Sequence, residues 1–290
     1  MTAIAVLTDE RDALGESPVW DERAGRLYWV DIRAPSIRWL DGDGRRGTLP
    51  CPAVVGCVGL AAGTGLVAAL QTGFHRVGLA EGRFEPIADP ERDVPGNRFN
   101  DGRVDRDGNF WASTMNDAAR RPDGSLYRLA ADGGVTRRFT GWDILNATAF
   151  SLDGTILYQA DTFRDRLWAF PHDRSDGRLG EPRLLLDTSS FGGHPDGATV
   201  DAAGALWVAL QGAGRLLRIT PAGMVDRIVE LPVTQPTSCT FGGAGFEMLF
   251  VTTAAQRLSD EALAAQPMAG CILALSGCGS GIAESRWVGA

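Results

Sequence analysis

The sequence of 290 residues contains no lysine, because all 28 of its basic residues are arginine. Without a lysine amine, the chain cannot form a Schiff base with a carbonyl substrate, and it cannot supply the lysine of a phosphate-binding loop. Pyridoxal enzymes, imine-forming aldolases and P-loop nucleotide hydrolases are therefore excluded.

The sequence also has little cysteine, no long apolar run and no excess of positive charge. Its five cysteines are odd in number and show no Cys-x-x-Cys spacing, which favours a reducing compartment over a disulfide framework or zinc site. No stretch approaches the roughly 18 apolar residues of a membrane span, and the N-terminus lacks the pattern of a signal peptide. The net charge of -8 argues against nucleic acid or an anionic membrane as partner. We therefore expect a cytoplasmic protein.

A strand–turn–strand pattern recurs six times along the chain. The glycines in its turns are Gly25, Gly63, Gly108, Gly154, Gly204 and Gly245. They span 220 residues in five intervals, a mean spacing of 44. A second hairpin follows each first one, so that each repeat has four short strands. Four strands at this period are typical of the blades of a β-propeller.

We predict an all-β fold, a six-bladed β-propeller with four antiparallel strands per blade, as a single domain over residues 1–290. The stretch TAIAVL near the N-terminus is expected to lie beside CILAL (271–275) and to complete the last blade, which removes an exposed edge. The sequence predicts one helix, SDEALAAQ (259–266), as a short insertion.

Polar side chains recur at one position of the repeat. Five residues before the end of the first strand, four repeats carry an oxygen-bearing side chain, namely Glu16, Asn100, Asn146 and Asp196. Asp and Asn next to Gly are common turn formers, but turns do not require the same offset in four repeats. Because the first strand of each blade lines the central channel, these side chains should converge at one height on the axis.

Two carboxylates and an amide are ligands that hard divalent cations prefer, so Glu16, Asn146 and Asp196 predict a Ca²⁺, Mg²⁺ or Mn²⁺ site. Asn100 is either a fourth ligand or a substrate contact. Arg98 shares the parity of Asn100 and can face the channel with it. Of the three histidines, His194 lies near Asp196 in the sequence, where it either assists the site or is idle.

Five stretches of the chain carry a combined pattern, namely LGESPVWDERAGRLYWVDI, NRFNDGRVDRDGNFWASTM, LYQADT, PDGATVDAAGALWVAL and LPVTQPTSCTFGG. Together they resemble the senescence marker protein / gluconolactonase / luciferin-regenerating enzyme family of regucalcin-like sugar lactonases. The resemblance implies a six-bladed propeller. It also implies that one divalent metal binds to Glu16, Asn146 and Asp196.

The resemblance assigns further roles as well. Arg98 and Asn100 would bind the hydroxyls of the substrate, and Asp196 would be the general base. Ala147 departs from the family pattern, because it stands where the family usually has glycine. The metal would be Ca²⁺ as first choice, with Zn²⁺, Mn²⁺, Mg²⁺ and Fe²⁺ as alternatives.

We predict a sugar lactonase, a metal-dependent hydrolase that opens a glucono-, xylono- or arabinonolactone to the aldonic acid. Its partner would be the small-molecule lactone, and the chain would be a monomer or a weak homo-oligomer. Two alternatives remain open: a phosphotriesterase-like hydrolase that uses the same metal, and a calcium-binding regulatory protein whose channel holds a structural ion. A metal-free propeller lyase is disfavoured, because it would not need three oxygen ligands in register.

Overall fold

The structure is a computed structural model that describes residues 2–119 and 121–289. Within these residues the strands form six antiparallel sheets of four strands each, one of which gains a short fifth strand. The ends of the predicted domain, Met1 and Ala290, lie outside the described residues. That the whole ring behaves as a single domain stays a prediction.

Each blade is one sheet built from consecutive hairpins, and the first strand of the chain, β1 (Ala3–Val6), belongs to the last blade. Blade 1 contains β2 (Gly15–Asp21), β3 (Arg26–Asp31), β4 (Ser36–Asp41) and β5 (Arg46–Pro50). Blade 2 contains β6 (Val55–Ala61), β7 (Leu66–Leu70), β8 (Gly73–Gly78) and β9 (Arg83–Ala88). Blade 3 contains β10 (Asn97–Val104), β11 (Phe110–Asn116), β12 (Gly124–Leu129) and β13 (Val135–Trp142).

The second half of the ring repeats this order. Blade 4 contains β14 (Leu145–Phe150), β15 (Ile156–Asp161), β16 (Arg166–Pro171) and β17 (Arg183–Asp187). Blade 5 contains β18 (His194–Val200), β19 (Leu206–Gln211), β20 (Arg215–Ile219) and β21 (Val225–Glu230). Blade 6 contains β22 (Pro236–Gly242), β23 (Met248–Thr253), β24 (Leu273–Ser276) and β1. Short 3-10 turns lie at Thr162–Arg164, Ser189–Phe191 and Ala244–Phe246.

The six blades close into a ring. The innermost strand of each blade, β2, β6, β10, β14, β18 or β22, contacts the innermost strand of the next, and β22 contacts β2 again. The predicted six-bladed β-propeller is thereby confirmed. The ring is closed by pairing of β1 with β24, in which Ile4 lies opposite Leu275, as the sequence predicted.

The insertion in blade 6 is the one predicted helix, α1 (Asp260–Ala265). The side chain of Ser259 caps it by accepting a hydrogen bond from the backbone N–H of Ala262. No helix in residues 2–119 and 121–289 has the length and apolarity needed to cross a membrane.

A repeated contact between aspartate and tryptophan ties the first two strands of a blade together. Trp111 Nε1 donates to Asp105 Oδ2 at 2.8 Å, and Trp207 Nε1 donates to Asp201 Oδ2 at 3.0 Å. Both indole rings are fully buried. Burying about 150–250 Å² of an aromatic side chain at about 25 cal/mol per Å² contributes roughly 4–6 kcal/mol as an upper estimate. These aromatic side chains therefore hold the hairpins that carry the channel-lining residues.

The last segment of the chain crosses one end of the channel, a feature that the sequence did not predict. Gly281 bridges to Asp201, Arg286 donates to Asp21, and Trp287 pairs with Ala61 in the short strand β25 (Arg286–Trp287). These partners lie at or next to the C-terminal ends of inner strands. The segment therefore lies at the end of the channel away from the residues that begin those strands.

Candidate functional site

Each of the six inner strands has a register shift close to its beginning. The shifts lie between Glu16 and Val19, Val55 and Cys57, Phe99 and Gly102, Asn146 and Ala149, Pro195 and Ala198, and Pro236 and Ser238. A β-bulge leaves a residue out of the ladder and turns its side chain in a new direction. The four polar residues predicted to converge all lie at such shifts, at one end of the channel.

Two of these bulges contain residues with left-handed backbone. Ser17 follows Glu16 with φ of 51°, and Ala147 follows Asn146 with φ of 54°. This conformation costs a non-glycine residue about 1–2 kcal/mol. The Ser17 hydroxyl compensates by accepting from the Val58 N–H at 3.0 Å. Ala147 adopts the left-handed conformation that favours glycine. The backbone bend beside Asn146 is therefore kept, although alanine stands at this position.

A chain of hydrogen bonds links three blades at this end of the channel. Arg98 Nη1 donates to Asn100 Oδ1 at 3.0 Å, and Asn100 Nδ2 donates to Asn146 Oδ1 at 2.8 Å. Asn146 Nδ2 then donates to Thr162 Oγ1 at 3.0 Å. The Thr162 hydroxyl in turn donates to the carbonyl of Pro195 at 3.0 Å. This hydrogen-bond relay from Arg98 to Pro195 fixes the orientation of the Asn100 and Asn146 amides. It ends one residue before Asp196.

Three carboxyl groups, from blades 1, 3 and 5, are buried together at this end of the channel. Glu16, Asp101 and Asp196 are 8%, 7% and 5% exposed. Burial, and then the charges of Asp196 and Asp101, raise the pKa of Glu16 well above its usual value. Burial and the charge of Asp101 do the same to the pKa of Asp196. The charges of Asp196 and Asp101 therefore disfavour the ionised form of Glu16, and the charge of Asp101 disfavours that of Asp196, unless a cation joins them.

Asp101 was not among the site residues that the sequence predicted. Burial raises its pKa as well, and its Oδ2 accepts from the backbone N–H of Thr148 at 2.7 Å. Its sequence context, Asn-Asp-Gly, looks like that of a turn. The only signal in the sequence was that Asp101 lies next to Asn100, which occupies the same position of the repeat as Glu16, Asn146 and Asp196.

The nearby arginines offset the charge of this cluster only in part. Arg98 is 5% exposed, and its Nη2 lies 3.4 Å from Asp117 Oδ1. Asp117 also binds Arg33 through both carboxylate oxygens, at 2.6 and 2.9 Å. Arg103, further along β10, is paired with Glu284 from the C-terminal segment. Asp117 is therefore shared between Arg33 and Arg98. The charges of Arg98 and Arg103 lower the pKa of Asp196 and of Asp101, respectively, but burial outweighs them.

The donor set fits a hard divalent cation. No group of three His, Cys, Asp or Glu side chains with metal-binding geometry occurs in the part of the chain that the structure describes. The predicted set has only two such side chains, Glu16 and Asp196, and it is completed by the amide oxygen of Asn146. A cation here would depend on that amide and on water for its remaining ligands.

His194 lies apart from the relay. Its Nδ1 is 2.7 Å from Asp165 Oδ1, and its ring contacts the edge of Phe163. The side chain is about half exposed, at 49%. We therefore leave His194 out of the candidate site.

The chain is similar over nearly its whole length to proteins of known family. Residues 14–255 match the SMP-30/Gluconolactonase/LRE-like region. Regucalcin of Xenopus laevis is 35% identical, covering 99% of this chain and 98% of its own. The 6-deoxy-6-sulfogluconolactonase of Pseudomonas putida is 37% identical, covering 95% of each chain.

Among solved structures, the calcium-binding protein regucalcin from Agrobacterium tumefaciens superposes with a TM-score of 0.94. Its sequence is 32% identical, and the match covers 98% of this chain and 97% of the other. The shared fold, the length of the match and the level of identity agree with one another. On these grounds the chain belongs to the SMP-30/gluconolactonase/LRE-like family.

Proposed function

We propose that this protein is a sugar lactonase that hydrolyses a glucono-, xylono- or arabinonolactone to the aldonic acid. One observation carries the proposal: residues from three blades, Asn100, Asn146 and the Thr162–Pro195 contact beside Asp196, are joined at one end of the channel. The relative named 6-deoxy-6-sulfogluconolactonase supports the reaction class. A sugar lactone offers both the ester and the hydroxyls that such a site can engage.

Glu16, Asn146 and Asp196 would hold one divalent metal ion, with Ca²⁺ the first choice and Zn²⁺, Mn²⁺, Mg²⁺ and Fe²⁺ the alternatives. The three buried carboxyl groups support a dication, since the ion would offset the burial and the like charges that raise the pKa of Glu16 and Asp196. When bound, the metal supplies Lewis acidity, which polarises the lactone carbonyl and stabilises the negative charge that develops on its oxygen.

Asp196 would act as the general base. Its carboxylate takes a proton from a water molecule while the water oxygen adds to the carbonyl carbon of the lactone. The ring C–O bond then breaks, and the departing ring oxygen receives a proton to become a hydroxyl of the acid. Asp196 lies in the register shift of β18, and the ladder pairs of Pro195 and Ala198 on either side of it fix the position of its backbone.

Arg98 and Asn100 would orient the polyol part of the substrate. Arg98 Nε is buried and has no hydrogen-bond partner among the described residues, so a substrate hydroxyl would satisfy it. Asn100 is held between Arg98 and Asn146, which limits the directions in which its amide can meet a hydroxyl. Such positioning brings the carbonyl carbon close to the attacking water.

A calcium-binding role without catalysis is the second candidate, and one observation favours it. The solved structure from Agrobacterium tumefaciens is described as a calcium-binding protein. The same buried carboxylates would then serve to retain the ion rather than to assist a reaction.

The test is a substrate panel on metal-stripped protein re-supplied with Ca²⁺, Mg²⁺, Mn²⁺, Zn²⁺ or Fe²⁺ in turn. The panel includes sugar lactones, a lactone without hydroxyls and an organophosphate triester. We expect metal-restored hydrolysis that is fastest on sugar lactones. Asp165→Asn, at the rim beside His194, is the matched control and should behave like the parent.

Three other outcomes of the substrate panel would each lead to a different conclusion. Faster turnover of the triester would favour a phosphotriesterase. Tight metal binding without hydrolysis of any substrate would favour the calcium-binding role. Full lactonase activity in a chelator would rule out metal dependence.

A further inference from the structure

A buried arginine joins two blades below the candidate site. Arg103 lies on β10, two residues after Asp101, and is 8% exposed. Its Nη2 donates to the carbonyl of Ala198 at 2.6 Å, and Ala198 lies on β18, two residues after Asp196. Blade 4 separates these two strands in the ring. Arg103 therefore links blades 3 and 5 directly, at the same distance in sequence from a site carboxyl group on either side.

This hydrogen bond lies just beyond the register shifts of both strands. The shift of β10 ends at Gly102, and the shift of β18 ends at Ala198. The ladder pairs hold each bulge within its own blade, but β10 and β18 belong to different sheets. At about 3.3 Å per residue, the contact lies roughly 7 Å along each strand from Asp101 and from Asp196. It can therefore set the distance between the two bulges.

The C-terminal segment holds the other arm of Arg103. Nη1 of Arg103 donates to Oε1 of Glu284, which also accepts from Thr240 Oγ1 at 2.8 Å. Thr240 lies on β22 in blade 6. The side chains of Arg103 and Glu284 are each only 10% exposed. The guanidinium is thus fixed between blades 3, 5 and 6, and the carboxylate that fixes it comes from the segment at the far end of the channel.

Stability alone does not explain a buried ion pair at this place. The cost of desolvating two charges roughly cancels their attraction, so well-packed apolar residues of similar volume are often at least as stabilising. A guanidinium offers what an apolar side chain lacks, a rigid planar fork of donors that bonds in two directions at once. Here one direction leads to Ala198 and the other to Glu284.

We propose that Arg103 is a positioning residue of the candidate site, which sets the separation between Asp101 in blade 3 and Asp196 in blade 5 while Glu284 holds it in place. Arg103 would touch neither metal nor substrate. The inference rests on the lactonase function proposed above for its consequence in catalysis. Without this link, Asp196 would meet the metal and the attacking water in a less well-defined geometry.

The test is a double variant, Arg103→Met with Glu284→Gln, which removes both charges at similar volume and leaves neither charge buried alone. Its unfolding free energy in a chelator should stay near the parent's, because the amide can still bond to Thr240. We expect metal affinity to fall by about tenfold in a calorimetric titration. A purely structural role would instead change stability and affinity together.

A second measurement needs neither metal nor substrate. The backbone N–H of Thr148 donates to Asp101 Oδ2, so its hydrogen exchange with solvent reports the position of Asp101. We expect faster exchange of this N–H in the double variant. If the parent binds metal but hydrolyses no lactone, the lactonase proposal fails, and the titration and the exchange still decide the role of Arg103.

Arg286→Met is the matched control. Arg286 lies in the same segment, its side chain is 9% exposed, and it pairs with Asp21 and Glu22. It does not reach β10 or β18, so metal affinity and exchange of the Thr148 N–H should stay parental. Equal losses in Arg286→Met would overturn the proposal, as would parental affinity and exchange in the double variant. Should the double variant fail to fold, Arg103→Lys decides, because it keeps the charge beside Glu284 but lacks the fork.

Discussion

Asn100 of blade 3 donates a hydrogen bond from Nδ2 to Oδ1 of Asn146 in blade 4, at 2.8 Å. The bond joins a proposed substrate contact to a proposed metal ligand. Since Asn146 Nδ2 donates to Thr162, its amide has only one orientation that satisfies both neighbours. A substitution that frees this amide should therefore change the metal affinity, even though the substituted residue does not contact the metal.

Thr162→Val is the direct test of that positioning role. Valine keeps the shape of threonine but loses the hydroxyl that holds Asn146 Nδ2. Two hydrogen bonds are lost, to Asn146 and to the carbonyl of Pro195. Loss of the one that orients Asn146, worth about 0.5–1.5 kcal/mol, should weaken metal binding by up to about tenfold. Thr162→Ser keeps the hydroxyl and should restore parental affinity in a calorimetric titration. Equal affinity in all three proteins would show that Thr162 does not orient the ligand.

Glu16→Gln should have opposite effects on metal binding and on stability. It removes one of two ligand charges, so metal affinity should fall. It also removes a carboxyl group whose ionised form is disfavoured by burial and by the charges of Asp196 and Asp101, so the metal-free protein should gain roughly 1–3 kcal/mol of unfolding free energy. Titration and chemical denaturation in a chelator measure the two. Parental metal affinity would show that Glu16 is not a ligand.

Arg98→Ala should separate binding of the substrate hydroxyls from chemistry. Loss of a charged hydrogen bond of about 1.5–3 kcal/mol lowers kcat/KM for sugar lactones by roughly ten- to a hundredfold. Lactones without hydroxyls should be less affected, and metal affinity should stay near the parent's. An equal loss on both kinds of lactone would mean that Arg98 supports the shape of the site, through its bond to Asn100.

Asp196→Asn should slow the reaction even when metal saturates the site. The amide keeps an oxygen ligand of nearly the same shape but cannot accept the proton of the attacking water. We expect weaker metal binding and, at saturation, turnover lower by roughly a hundredfold or more. Steady-state kinetics across metal concentrations give both numbers. Recovery of parental kcat at saturation would make Asp196 a ligand only.

His75 should make the fold sensitive to mild acid. Its side chain is buried in β8, and burial lowers its pKa below the usual 6.5. The unfolded chain therefore takes up this proton first as the pH falls, so that stability drops below about pH 6.5. His75→Gln cannot titrate and should lose less stability between about pH 7.5 and 5.5 in urea denaturation. Parallel losses would show that His75 is not the cause.

The ring and the meeting of polar residues could be predicted because both depend on local patterns. Turn glycines and alternating strands set the blade length, and a constant offset within each blade brings Asn100 and Asn146 to the same height. The roles of these side chains stay predictions.

Other parts of the site depend on contacts that no local pattern contains. Asn100 and Asp101 are neighbours in β10 and would face opposite sides of a regular strand. The register shift between Phe99 and Gly102 allows the side chains of both residues to lie at the channel. Thr162 was missed for a similar reason, because its hydroxyl bonds to Pro195 in the next blade.

The pairing of β1 with β24 also sets the time at which the molecule can first work. Leu273 lies 267 residues after its partner Val6 in the chain. At about 5–20 residues per second, the wait between synthesis of the two is on the order of tens of seconds. Until then the ring is open, and Glu16 of blade 1 has no fixed place relative to Asp196 of blade 5. A nascent chain should therefore neither hold a metal nor turn over substrate before Leu273 has been synthesised.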